Sequence, residues 1–185
     1  MLTDKLLTLA FGVIFLLTLA CSDSPETNKH QQMTLLPATK TSGQTAFFDY
    51  AASTSMLQVE LGQLAAERGQ QEQVKAIGEH ALQHHTRALA DLRKTVGKDH
   101  LTSIPDTLGA ADKAIVEEFR NLPAAEFDNR YRHYILSSHT AQLERYQETL
   151  QKTEEEHIRE WINQMQVHLQ ERMRLANQAG IAASQ

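Results

Sequence analysis

The chain has 185 residues, 41% hydrophobic and 22% charged, which suits one globular domain with a proper core and leaves too little for two. Its formal net charge is -5, and its Lys and Arg residues are scattered among acidic ones, which excludes the basic footprint of a nucleic-acid binder. Aromatic residues are 6% of the chain, Pro only 4 and Gly 8, while Ala, Leu, Glu and Gln abound, so an all-α fold is expected.

The N-terminal stretch "MLTDKLLTLAFGVIFLLTLAC" carries Lys5, then an apolar run from Leu6 to Ala20 broken only by small or hydroxyl residues, then a cysteine. At about 15 residues the run is shorter than the ~20 a spanning helix needs, and it has the form of a signal peptide's apolar region. The end of the run, "LTLAC", resembles the bacterial lipobox, in which the cysteine is lipidated and becomes the mature N-terminus. Residues 1–20 are therefore read as a signal peptide and Cys21 as the lipidated residue. Cys21 is the only cysteine, so the mature domain has no internal disulfide and no thiolate metal ligand. Ser22 is not the Asp that retains lipoproteins at the inner membrane in enteric-type sorting, which points to the periplasmic face of the outer membrane. The expected partner is thus the membrane, through the lipid; no protein partner is legible. Residues 21–45, polar and holding Pro25, Pro37 and Gly43, read as a flexible tether.

Helical periodicity then takes over in a bundle domain spanning residues 46–180, ahead of a disordered tail at 181–185. The first helix is expected from about Ala46 to Arg68, stopping at Gly69, and the second from about Glu72 to Val96, stopping at Gly97. A loop containing Pro105 follows, then a short helix within "TLGAADKAIVEEFRNL". Pro123 opens a long helix from about Ala124 to Lys152. Thr153 with Glu156 has the form of a capping box, predicting a last helix from there to about Ala179. Four long helices and one short one predict a four-helix bundle.

Helical geometry singles out particular histidines. On the second helix Val74, Gly78, Ala81, Leu89, Leu92 and Val96 form one stripe with His85 at its centre, while His80 and His84 fall on the flank or surface and are expected to be solvated. On the third long helix Tyr131, Ile135, Gln142, Leu143, Tyr146 and Leu150 surround His139. On the last, Ile158, Trp161, Met165, Leu169 and Ala176 form the stripe, with His168 at its edge. His139 and His168 lie at equal distances from the turn between their helices and should face each other, whereas His85 should lie near Gln58, with Glu60 about one helical turn, ~6 Å, away. The first helix has two apolar stripes, one with Met56, Glu60 and Leu64 and the other with Phe47, Ala51, Gln58, Leu61 and Ala65. Periodicity leaves open which of them faces the axis.

The segments "MLQVELGQLAAERGQQEQVKAIGEHALQHH", "FDNRY", "SSHTAQLERY" and "HLQERMRLA" resemble the bacterial family called domain of unknown function 4142, over about residues 46 to 178. The resemblance implies a ferritin-like helical bundle, often preceded by a signal peptide. The chain departs from the family pattern at His84 and Ser138, where Asp is common, at Gln58, where Glu is common, and at Asn163, where Pro is common.

Three functional readings follow. The first is a transition-metal site of His85, His139 and His168, with Glu60 or Gln58 as a fourth group; neutral imidazole serves Zn, Cu or Fe, and nitrogen-rich ligation disfavours Mg and Ca. Core histidines that merely fix packing are the plain alternative. The second is a metal-free, lipid-tethered interaction module for another envelope component. The third, an oxidase of the ferritin-like kind, has little to stand on. Its Glu-x-x-His pairs on two helices shrink here to Glu154 and His157 at a helix start, and no other catalytic motif appears. The expectation is a cell-envelope lipoprotein that is not an enzyme.

Overall fold

A computed structural model describes residues 36–97 and 104–182. The signal peptide, Cys21, the first part of the tether and residues 183–185 lie outside the described residues. Among the described residues there are five helices and no strand: α1 Leu36–Arg68, α2 Glu72–Thr95, α3 Ala110–Asn121, α4 Ala124–Lys152 and α5 Glu156–Ala182. The all-α fold and the pattern of four long helices with one short one are as expected.

Three boundaries differ. Helix α1 is described from Leu36 onward, so it takes in residues 36–45 of the segment read as tether. The capping box at Thr153 does not form. Thr153 ends α4, its backbone N–H donating to the Thr149 carbonyl at 2.9 Å, and its hydroxyl accepts from the Glu155 N–H at 3.3 Å. With Thr153 held by α4, helix α5 starts one turn later, and the Glu155 carbonyl accepts from the N–H groups of Ile158 and Arg159. That helix also continues through Ile181 and Ala182, which the sequence reading assigned to the tail. Helix α2 ends as expected at Gly97, whose φ of 67° is a left-handed conformation suited to glycine.

Helix α1 packs on α2 and α4, and α5 packs on α2 and α4, so the four long helices close into a square. The short hairpin turns make α1 antiparallel to α2 and α4 antiparallel to α5. Asp128, near the start of α4, bonds the backbone N–H groups of Gln70 and Gln71 in the α1–α2 turn. Helix α4 therefore starts at the end where α1 stops, and the segment between α2 and α4 travels the length of the bundle. This is a bundle with one long crossover, the connectivity of ferritin-like folds. The crossover carries α3, which lies on α1. Its C-terminal carbonyls are held by the Arg68 guanidinium, which donates to Phe119 and Leu122 at 2.6 Å each and to Arg120. A cation at a helix C-terminus is also favoured by the helix dipole.

The core falls into two apolar clusters. One contains Phe47, Phe48, Leu92, Val96, Tyr146, Ile158 and Trp161 and fills the end where α1 starts. The other, with Leu61, Val74, Phe119, Phe127, Tyr131 and Ala179, fills the end at the α1–α2 turn. Between them every long helix contributes buried polar side chains: Ser55 and Gln58 from α1, His85 from α2, His139 and Gln142 from α4, and Arg172 from α5.

Candidate functional site

The polar layer is built by the apolar stripes that flank it. On α2 the neighbours of His85, from Val74 to Val96, are buried as their spacing predicts, and they carry His85 to complete burial. On α4 the same holds for His139, with Tyr131, Ile135, Gln142 and Tyr146 buried around it. Helix α1 turns its Phe47, Ala51, Gln58, Leu61 and Ala65 stripe to the axis, each at most 2% exposed. Glu60 is half-buried on another face, lining a groove of about 600 Å³ with Val59, Asp106, Lys113 and Arg120. Gln58, and not Glu60, is therefore the α1 residue that enters the layer. A Cβ on Gly62 would stand 2.8 Å from the Gly78 carbonyl oxygen and 2.9 Å from the Leu82 backbone nitrogen, a register that puts His85 at the level of residues 55 to 59 of α1, Gln58 among them.

His168 is half-buried, at the edge of its stripe as expected. Its ring stacks on His84, with centroids 3.2 Å apart and planes 6° from parallel. His85 lies 5.4 Å from both rings. His80 is exposed as expected, but His84 is half-buried, and its Nε2 lies 3.4 Å from Sδ of Met165. The expectation of a solvated His84 is corrected: α5 packs against the flank of α2, and His168 and Met165 cover the ring. His139 is wholly buried on α4, with its Nδ1 3.4 Å from the Ser138 hydroxyl.

Arg172 escaped the sequence reading. It is 1% exposed, donates to the Ile77 carbonyl at 2.8 Å and to the Tyr131 hydroxyl at 3.2 Å, and its Nε has no partner. The signal was present: Arg172 continues the Met165, Leu169 and Ala176 stripe. Arginine on such a stripe ordinarily carries its head to water along an apolar stem, and here the helices on either side close that path. Asp128 is the one buried carboxylate among the described residues, and the turn amides occupy its oxygens at 2.9 and 2.8 Å. It belongs to "FDNRY", whose Phe127 and Tyr131 are wholly buried, so that motif packs and caps.

The electrostatics follow from this placement. Burial first, and the Arg172 cation second, lower the pKa of His84 to about 4 and of His139 to about 3. His168 is lowered to about 2 by burial, then by His84 and Arg172. His85 is pushed well below its ordinary value by burial and then by Arg172. All four rings are neutral at neutral pH. Several of their nitrogens are buried with no hydrogen-bond partner: Nδ1 and Nε2 of His85, Nε2 of His139 and Nε2 of His168. Gln58 is unpaired at both its amide nitrogen and its oxygen. Among the described residues no three His, Cys, Asp or Glu side chains are grouped to hold a metal ion as they stand.

These features define a class: an all-α bundle whose two apolar clusters are separated by a layer of neutral histidines and one buried guanidinium. Residues 29–179 match the family described as Domain of unknown function (DUF4142), and the chain belongs to that family. The match begins upstream of residue 46, so the family's domain includes the early turns of α1. No curated protein and no solved structure matches the chain. No helix of the described residues is long and apolar enough to cross a membrane.

Proposed function

We propose that this protein is a lipid-anchored protein of the bacterial cell envelope whose bundle binds a transition metal through His85, His139 and His168, without catalysis of its own. The observation that carries the reading is the set of orphaned imidazole nitrogens. A neutral imidazole has one donor and one acceptor nitrogen, and leaving a buried polar group unpaired costs about 1–3 kcal/mol. Native interiors rarely contain such groups without a ligand or a functional reason. His85 has both nitrogens in this state, wholly buried and with the His84 and His168 rings 5.4 Å away.

The donor set fits Zn, Cu or Fe, for which neutral imidazole is the shared ligand. Arg172 and burial keep the rings in the neutral form that ligates. Gln58 is the α1 group available beside them. The carboxylates of a bridged di-iron centre are missing from the layer, since Glu154 is at the head of α5 and exposed His157 pairs with Glu155, which supports a binding role over oxidase chemistry. The anchoring half of the proposal rests on the apolar leader and Cys21.

The test is metal content by mass spectrometry on the full chain, purified in detergent without a histidine-rich tag, beside His85→Ala and His139→Ala. About one Zn, Cu or Fe per chain that disappears in both variants is the expected result. A chain that is empty and takes up none of these metals would overturn the proposal, leaving the lipid-tethered interaction module to be pursued. For the anchor, Cys21→Ser should move the protein from the membrane fraction to the soluble one.

A further inference from the structure

The corner where α2 meets α5 carries an arrangement that the three core histidines do not explain. His84 Nε2 stands 3.4 Å from Met165 Sδ. Two donors on one ion, with bonds of ~2.0 Å to nitrogen and ~2.3 Å to sulfur, are separated by that distance when the angle between them is about 100°, close to tetrahedral. Met165 is buried, so its sulfur faces the protein interior. Beside the pair stand two more imidazoles, His168 against His84 and His85 at 5.4 Å, each with a buried and unpartnered Nε2. Every one of these donors is uncharged. The formal charge that acts on all of them is positive, from Arg172, and the one buried carboxylate among the described residues is occupied elsewhere.

That combination selects by softness and by charge. A thioether is a soft ligand that favours Cu(I) over Zn(II) or Fe(II). A divalent ion meets twice the repulsion from the guanidinium that a monovalent ion meets, and no carboxylate offsets it. We infer that this corner is a Cu(I) site, with His84 Nε2 and Met165 Sδ as paired ligands and His85, whose ring stands edge-on to His84, as the third donor; His168, stacked parallel to His84, shields the site instead of ligating. The inference rests on the metal-binding reading and narrows it to one ion and one corner of the bundle.

The test uses the full chain in detergent under anaerobic conditions, with Cu(I) supplied in competition with bicinchoninate and Zn(II) titrated separately. Cu(I) should bind at one per chain, and Met165→Leu and His84→Gln should each weaken it at least tenfold. Leucine nearly conserves the volume of methionine, and helical content by circular dichroism checks that both variants fold. X-ray absorption of the copper-loaded wild-type chain should contain a sulfur neighbour at ~2.3 Å. That signature decides the matter even if a variant fails to fold. Metal that is lost in His85→Ala and His139→Ala but indifferent to Met165→Leu and His84→Gln, with no sulfur neighbour, would overturn this inference and leave the core-histidine site standing. A chain that binds none of Cu(I), Zn(II) or Fe(II) would overturn both.

Discussion

Arg172 sets the character of the layer one residue at a time. It is a permanent cation with two hydrogen bonds and no counter-ion among the buried residues. Replacing buried charges by apolar residues of similar volume is often neutral or stabilising by about 1–4 kcal/mol. Arg172→Met should accordingly leave the unfolding free energy unchanged or raise it within that range. A loss of more than about 2 kcal/mol in urea denaturation would instead show that the bonds to Ile77 and Tyr131 outweigh desolvation of the charge.

The histidines give a second residue-scale prediction, for the metal-free chain. Their folded pKa values are depressed to about 4, 3 and 2 at His84, His139 and His168, from an ordinary 6.5. Below pH 6.5 the unfolded chain binds protons that the folded chain refuses, so stability is full above that pH and is lost as pH falls towards the folded values. For wholly buried His139 the slope is up to about 1.4 kcal/mol per pH unit. The urea midpoint should fall between pH 6.5 and 5, where most carboxylates are still ionised, and His139→Leu should flatten the fall. A midpoint independent of pH across that window would contradict the burial of these rings. His85 and His139 were readable from sequence because each sits at the centre of an apolar stripe. His84 was misread because a position ~100° off the stripe is covered or bare according to the neighbouring helix.

At the scale of elements, the contact between α1 and α2 is set by glycine. A Cβ on Gly78 would stand 2.6 Å from the backbone of α1, at Ala66 N and Gly62 O, whereas one on Gly43 meets nothing within 4 Å. Gly78→Ala should therefore destabilise by about 1–3 kcal/mol, since backbone must move to admit the methyl group. Gly43→Ala, on the exposed part of α1, should gain up to about 1 kcal/mol in helix propensity. Equal effects in thermal unfolding would show that the helices are not in backbone contact. Helix ends use partners from the next helix as well. Arg159 donates to the Leu150 carbonyl at 2.7 Å and to that of Thr153 at 3.2 Å, closing the end of α4. Such caps come from a different helix, so a local motif such as Thr153 with Glu156 misplaced the boundary, while Pro123 and Gly97, which act on their own backbone, marked theirs correctly.

Across the whole molecule, two apolar clusters hold the ends of the bundle and the polar layer interrupts them. Helix α3 lies on α1, with its C-terminus held by Arg68. Arg68→Met should speed amide exchange through residues 110–121 with much smaller effects on α4 and α5. A uniform change along the chain would mean that the crossover is not a separately opening unit. The helical class, the hairpins, the stripes and the inward placement of His85 and His139 are legible in the chain alone. Those properties follow from backbone chemistry and the 3.6-residue period, which act within one element. That Gln58 and not Glu60 enters the layer, that His84 meets Met165, and that Arg172 is sealed between the clusters become visible once the helices are packed. Each of those outcomes depends on which face of one helix a second helix covers, and that choice is made by packing between segments far apart in the chain.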